Sequence, residues 1–311
     1  MRIVFIGTGE IGVPVLRSLL DSREHQLVGG VTQPDKPVGR EQRIEAPPIK
    51  AALAGRTLPI LQPARIKRDE AVAEIRALAP DVIVVMAYGQ ILSRSVLEIP
   101  SVACLNLHAS LLPRHRGAAP IQAAIVAGDR ESGITVMYMD EGLDTGDIFL
   151  QSHLEIAADE TGGSLHDRLA QIAPDTLHEA LAELQRGNAS RVPQDSSAAT
   201  YAPKLEREDG RIDWTEPAEL IERKIRAFNP WPGAFVPLRS ENGRERKLKI
   251  FSARLIAAAN GKPGEVFSSD GSITIAAKDG ALFLGEVQLE GKRRMSAAEF
   301  LRGHAAPLHI V

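Results

Sequence analysis

Short runs of apolar, largely β-branched residues alternate, through the first 190 residues or so, with segments whose apolar residues recur at helical spacing. The runs are 2–7, 26–32, 59–61, 81–87, 102–107 and 134–139, and the helical segments include 11–20, 69–78 and 120–127. Strands joined by helices in this order assemble a parallel sheet covered on both faces, so this part is predicted to be α/β, Rossmann-like and mostly parallel. A last helix, 163–186, carries Leu165, Leu169, Ile172, Leu177, Leu181 and Leu184. Pro174 in its middle lacks an N–H and crowds the preceding turn, and is expected to kink or interrupt it. Residues 188–204 crowd Asn, Ser, Pro, Gln, Asp and Ala together and read as a linker. Beyond a short helix at 217–227 the pattern changes. Strand-like runs at 248–255, 264–267, 272–277 and 281–289 are separated by Gly, Asn and Asp turns. Five or so strands in roughly 80 residues suit a small all-β barrel of the OB type. The expected division is a domain over 1–189, a linker over 190–205 and a second domain over 206–311.

A chain of 311 residues with 44% hydrophobic content can bury a core in each of two domains. No run of about 18 apolar residues occurs. The opening Met1-Arg2-Ile3-Val4-Phe5-Ile6-Gly7 is a strand entering a glycine turn rather than a signal peptide, so a cytosolic protein with no membrane partner is expected. The single cysteine, Cys104, lies inside an apolar run; it excludes an internal disulfide, argues against a thiolate metal site, and reads as a small core residue. No bound metal is expected. A net charge of -3 does not favour nucleic acid, although phosphate contacts depend on local basic patches rather than on the whole chain.

The chemistry concentrates between 106 and 147. Asn106 and His108 stand two apart at the end of an apolar run, so in a strand they project from one face. Asp144, in the glycine-flanked Gly142-Leu143-Asp144-Thr145-Gly146-Asp147, follows the next run. In a parallel sheet both loops would open at the carboxyl edge, where such folds bind ligands. An Asn, a His and an Asp without a Ser or Cys nucleophile suit acyl transfer to a nucleophile brought by the substrate. Asn106 would donate to a developing oxyanion, and His108, oriented and kept basic by Asp144, would donate to it or relay a proton. An amine acceptor needs no covalent intermediate.

Gly7-Thr8-Gly9-Glu10-Ile11-Gly12 matches the dinucleotide fingerprint after a first strand. The ribose-binding acid expected at the end of the second strand is missing, because that strand runs into Thr32-Gln33-Pro34 and Asp35 lies beyond the proline. The glycines are read instead as closing a tight turn, with Gly12 allowing close helix–sheet packing.

The string Asn106-x-His108-x-Ser110-Leu111-Leu112-Pro113-Arg114-x-Arg116-Gly117, with Asp144 downstream, resembles the folate-dependent formyltransferases. Thr32 through Pro37, Val85 through Gly89, Asn229 through Phe235 and Gly291 through Gly303 extend the resemblance to the branch that formylates methionine on initiator tRNA. The resemblance implies a Rossmann-like core followed by an oligonucleotide-binding-type barrel, 10-formyltetrahydrofolate as donor, and methionyl-initiator tRNA as acceptor. It also implies a catalytic trio of Asn106, His108 and Asp144. It assigns folate to a groove lined by Leu92, Ser110, Leu111, Leu112 and Pro113, closed by Asp140 and Gly142. A monomer is expected.

The segment 33–50 is long for a βα connection and holds Pro34, Pro37 and Pro47. In the resembled family it reaches the tRNA acceptor end with consecutive basic residues; here Lys36, Arg40, Arg43 and Lys50 are interrupted by Glu41 and Glu45. In the second domain Arg244, Arg246, Lys247 and Lys249, and separately Lys292, Arg293 and Arg294, form basic clusters that are either a solvated face or a tRNA surface. The contacts expected for tRNA are Lys36, Arg40, Arg43, Lys247, Lys249, Lys292 and Arg293. Arg114 and Arg116 suit either anionic ligand groups or local carboxylates. His115 stands where the family usually has Trp or Tyr, and lies beyond the strand end, outside the catalytic set. Trp231, between prolines, is expected as a core wedge at the domain junction. An N-formyltransferase for amino sugar nucleotides would share the trio and the Trp-Pro-Gly segment, but not the Gln33-Pro34-Asp35-Lys36-Pro37 loop or the Gly291-Lys292-Arg293-Arg294-Met295 ending. A glycinamide ribonucleotide formyltransferase would need only the first domain. A catalytically silent nucleic-acid-binding protein and a nicotinamide oxidoreductase complete the alternatives.

Overall fold

In the computed structural model the chain is described except at Arg40, 240–244, 257–260, Asp270, 304–308 and Val311. It builds two compact units. One comprises Met1–Pro120, Glu131–Glu155 and His166–Pro203; the other comprises Ile121–Arg130, Ile156–Leu165 and Lys204–Val311. Among the described residues no helix is long and apolar enough to cross a membrane.

The first unit holds a seven-stranded sheet. Its strands are β1 (Arg2–Gly7), β2 (Gln26–Val31), β3 (Ile60–Leu61), β4 (Val82–Met86), β5 (Ala103–His108), β6 (Glu131–Tyr138) and β7 (Ile148–Glu155). Their spatial order is β7-β6-β5-β4-β1-β2-β3. β1 through β5 pair in parallel. Strand alternation divides β1 between two cores. Val4 and Ile6 pack with Val28, Val72, Ile75, Ile83, Val85 and Val96. Ile3 and Phe5 are buried on the opposite face, where a Cβ added to Gly12 would stand 3.1 Å from Phe5 Cζ and 3.6 Å from Ile49 Cδ1. The expected doubly covered sheet follows from this two-sided burial.

The last strands depart from expectation. β6 runs antiparallel to β5, and β7 antiparallel to β6. The connection 139–147 is shorter than the dozen or so residues that a parallel crossover takes, so it can only close a hairpin. Tyr138, the end of β6, therefore lies beside Leu105 rather than beyond His108. The loop bearing Asp144 has to return along the sheet to reach the strand end.

The helix Gly162–Arg186 runs on through Pro174, so of the expected kink or interruption the interruption does not occur. Leu169, Ala173, Leu177 and Leu181 are fully buried along one face. Burial of that stripe outweighs a local cost of about 3 kcal/mol for an internal proline.

The second unit is built on a seven-stranded antiparallel sheet that curls into a half-barrel. Val266–Ser269, Ser272–Ala276, Ala281–Leu289, Glu245–Ile256, Phe235–Arg239 and His309–Ile310 follow in spatial order, and Met295–Ser296 also pairs with Ala281–Leu289. The pairing of the two long strands shifts register around Ser252. Gly285 sits opposite, where a Cβ would come within 2.4 Å of Ser252 Oγ, so a side chain there would have to displace that hydroxyl. Ile221 and Ile225 of the helix Ala218–Ala227 and Phe300 of the helix Ala297–Arg302 cover Leu248, Ile250, Ile273, Ile275, Leu282 and Leu284. Trp231 is not part of this core: it is 48% exposed, because the turn at 230–233 leaves its ring facing solvent.

Candidate active site

β5 is buried along its whole length, and the face that carries Cys104 into the core carries Asn106 and His108 at its far end. Asp144 meets them from the returning loop. Its Oδ1 accepts from Asn106 Nδ2 at 3.4 Å, and its Oδ2 stands 3.6 Å from His108 Nδ1. Oδ2 also accepts the Gly117 N–H at 2.8 Å. On the opposite side of the ring, His108 Nε2 lies 2.9 Å from the carbonyl oxygen of His115. A carbonyl can only accept, so Nε2 carries a hydrogen, and Nδ1 is the edge of His108 shared with Asp144. Asn106 retains a second amide hydrogen beyond the one approaching Asp144, which is the donor an oxyanion would use.

Local chemistry explains why Asp144 sits there. The Asp140 carboxylate accepts the Gly142 N–H at 3.0 Å and the Thr145 hydroxyl at 2.9 Å, folding the loop on itself. The Tyr138 N–H donates to the Asp147 carbonyl at 2.9 Å and closes it. A Cβ on Gly146 would lie 1.8 Å from the Tyr138 carbonyl oxygen, so that glycine is required by close approach. Asp144 itself adopts a left-handed backbone, φ 54°.

Ser110–Pro113 is held by a threonine from the neighbouring strand. Thr135, opposite His108 in register, donates its hydroxyl hydrogen to the Ser110 carbonyl at 2.6 Å. Thr135 Oγ1 in turn accepts from the Leu112 N–H at 3.1 Å and from Gln151 Nε2 at 2.9 Å, which uses its full capacity. Thr135→Val, close in volume, would leave the buried Leu112 N–H without that acceptor. Urea denaturation is expected to show a loss of about 1–3 kcal/mol; an unchanged midpoint would mean that the segment is held by something else.

Nucleophiles are absent from this centre among the described residues. Ser110 Oγ donates to the Arg114 carbonyl at 2.7 Å. Burial pushes the Cys104 thiol up to about 12, so almost no thiolate exists at neutral pH. The glycine-rich turn after β1 is also committed elsewhere. The Thr8 and Gly9 N–H groups donate to the Ala87 carbonyl at 3.1 and 3.3 Å, and the Gly12 N–H to the Gly9 carbonyl at 3.2 Å. Those amides are what a pyrophosphate would need.

A family model described as formyl transferase matches residues 1–181, and one described as formyl transferase, C-terminal domain, matches 204–305. The chain belongs to the formyl transferase family. A methionyl-tRNA formyltransferase of Akkermansia muciniphila is 49% identical over 306 residues, covering 98% of this chain and 97% of that protein. One of Citrifermentans bemidjiense is 45% identical, also over 306 residues, covering 98% and 94%. Among solved structures, HypX from Aquifex aeolicus in complex with tetrahydrofolic acid has a TM-score of 0.62 at 21% identity, covering 97% of this chain and 47% of that one. At that identity the likeness concerns the fold.

With the formyl transferase fold in place, the expected contacts can be located. Leu92 and Leu112 are buried, and Leu92 belongs to the core cluster. Leu111 and Pro113 are partly exposed, and Asp140 and Gly142 lie in the exposed loop. Glu141 acts electrostatically on Arg94, which puts that loop near the segment following Leu92. Ile91 is 76% exposed and Leu143 47%, leaving apolar surface on both segments. Arg116 does not pair with a carboxylate; its Nε and Nη2 donate to Gln194 Oε1 at 3.0 and 2.8 Å. His115 is buried, and its carbonyl reaches the centre.

Lys36 lies in a small hairpin, Lys36–Val38 with Arg43–Glu45. Arg43 pairs with Glu41 at 2.7 Å, while Arg40 and Arg244 lie outside the described residues. Lys247 pairs with Glu208 at 2.6 Å and stands over the Phe235 ring, and Arg293 pairs with Glu299. Lys249 extends past Gly233, and Lys292 is exposed in the turn after Ala281–Leu289. Thr135, Gln151, Gln194 and Thr200 were not singled out by sequence reasoning. A threonine inside the apolar run of β6 was the one local signal for any of them.

Proposed function

We propose that the chain transfers the formyl group of 10-formyltetrahydrofolate to the free amine of methionyl-initiator tRNA, by direct attack of that amine. The observation that carries this reading is the meeting of Asn106, His108 and Asp144 at a strand end that offers no nucleophile of its own. The donor supplies an activated formyl carbon. The amine nitrogen bonds to the formyl carbon while Asn106 steadies the charge developing on the formyl oxygen. As the intermediate collapses, the bond from that carbon to N10 of the donor breaks, and the His108–Asp144 pair carries the proton lost by the amine to N10, releasing tetrahydrofolate. The catalytic trio is thus Asn106, His108 and Asp144. Ser110–Pro113 and Leu92 line the donor groove, with Leu111 and Pro113 the more exposed of them, and Asp140 and Gly142 shape the loop beside it. Exposed Ile91 and Leu143 give a flat heterocycle apolar surface on which to lie. The names of the relatives quoted above, at nearly full coverage of both chains, support the tRNA acceptor. We place the enzyme in the cytosol, as a monomer, with domains at 1–189 and 206–311.

An acceptor competition tests the assignment. Purified protein with 10-formyltetrahydrofolate is expected to formylate charged initiator tRNA in preference to amino sugar nucleotides; the reverse preference would overturn it. Lys36, Arg40, Arg43, Lys247, Lys249, Lys292 and Arg293 are the proposed phosphate contacts. Exposed ion pairs such as Lys247–Glu208 contribute about 0–1 kcal/mol, so they are readily exchanged for phosphate. Replacing Lys247, Lys249, Lys292 and Arg293 together by alanine is expected to raise the KM for charged tRNA at least several-fold. The salt slope should flatten by roughly one for each phosphate-binding side chain removed, with the folate KM unaffected. Binding that matches wild type at every salt concentration would remove these clusters from the tRNA surface.

A further inference from the structure

We infer that the segment 190–202, which reads as a linker, is a working part of the active site, with Gln194 and Thr200 as positioning residues for His108 and Asp144. This inference rests on the formyl-transfer reading. Each oxygen that faces the His108 ring is held from behind by this one stretch of chain.

On the Asp144 side, Gln194 Nε2 donates to the carbonyl of Asp144 at 2.9 Å and to that of Gly146 at 2.7 Å. Its Oε1 accepts both Arg116 bonds. Every polar atom of the amide is used, and the two carbonyls on one end and the guanidinium on the other leave one orientation for it. On the His115 side, Thr200 Oγ1 accepts the His115 N–H at 2.8 Å, and the Thr200 carbonyl accepts the Arg116 N–H at 2.9 Å. The Ala202 carbonyl continues the series by accepting from Ala118 at 2.8 Å. Reciprocal backbone bonds between Val192 and Ile148, 2.8 and 2.9 Å, fix the near end of the segment to β7.

Two features make this a positioning device rather than packing. Asp144 and His115 both hold left-handed backbones, φ 54° and φ 58°, a conformation that Asp and His adopt more readily than most residues with a Cβ but still at a cost in energy. These are the two residues gripped by Gln194 and Thr200. The gripping segment itself buries little: Val192, Pro193 and 195–198 are exposed. Its bonds are spent on the loops that carry the His108 partners.

The test uses full-length protein. Gln194→Leu removes both carbonyl contacts and the Arg116 contact, whereas Gln194→Glu keeps an acceptor for Arg116 and loses the donors to Asp144 and Gly146. Both are expected to lower kcat for formylation of charged initiator tRNA by about 10-fold or more, with KM for donor and tRNA within about 3-fold. Thr200→Val is expected to do the same, and Thr200→Ser, which restores the hydroxyl, to recover most of the rate. A readout without substrates runs in parallel: the 15N resonances of the His108 ring in free enzyme, expected to move in Gln194→Leu and Thr200→Val and to return in Thr200→Ser. If wild type fails to formylate tRNA, the proposed acceptor fails while the His108 resonances still decide the positioning role. Wild-type kcat and resonances in folded Gln194→Leu would overturn the proposal, as would wild-type behaviour of Gln194→Glu alone. Should Gln194→Leu not fold, equal rates for Thr200→Val and wild type would overturn it.

Discussion

Alanine at position 106 or at position 108 is expected to lower kcat by about 100-fold or more, close to 2.7 kcal/mol of transition-state stabilisation at roughly 1.36 kcal/mol per tenfold. The two losses differ in kind. Asn106→Ala removes the amide whose second hydrogen is available to an oxyanion, and leaves Asp144 with Gly117 and the ring as partners. His108→Ala removes the group that handles the proton, together with its contact to the His115 carbonyl. A drop in kcat with KM values near wild type marks an interaction made mainly in the transition state. Steady-state kinetics on folded variants decide the matter, and rates within a few-fold of wild type for either one would end the catalytic assignment.

Asp144→Asn is expected to be comparably damaging, by about 100-fold, because the side chain now serves three partners with one acceptor oxygen. The carboxylate accepts from Gly117 and Asn106 and faces His108 Nδ1. An amide in the same place must turn its NH2 toward one of the donors, or leave one of them unpaired. It also offers no counter-charge to a ring that takes up a proton in the transition state. An unchanged rate would reduce Asp144 to a turn residue.

The trio was legible because a strand fixes Asn106 and His108 on one face from their spacing alone, and because glycines flanked Asp144. The direction of approach was not read correctly, because β6 runs antiparallel to β5 after a long connection, 109–130, that allows either orientation; the brevity of 139–147 bears only on the pairing of β7 with β6. The dinucleotide fingerprint was rejected on a missing acid, and the structure adds that its amides already serve Ala87 and Gly9. Pro174 and Trp231 show local rules losing to context: a deeply buried stripe carries a helix through the proline, and a large aromatic flanked by prolines ends up in solvent. Gln194 and Thr200 lie 50 and 56 positions beyond Asp144, in a stretch whose composition says only loop. No periodicity or motif announces a polar side chain whose partners are backbone carbonyls brought near by tertiary folding.

The exposed run 195–198 lies between the two grips on the centre, Gln194 and Thr200. It is small, polar and surface-lying, the kind of sequence that proteases cut first. One incision there would free a loose end on each side without removing any residue of the clusters around Leu248 and around Val4. Damage of this sort would strike turnover first, so intactness of the chain at this point is the property to verify in any stored or aged preparation.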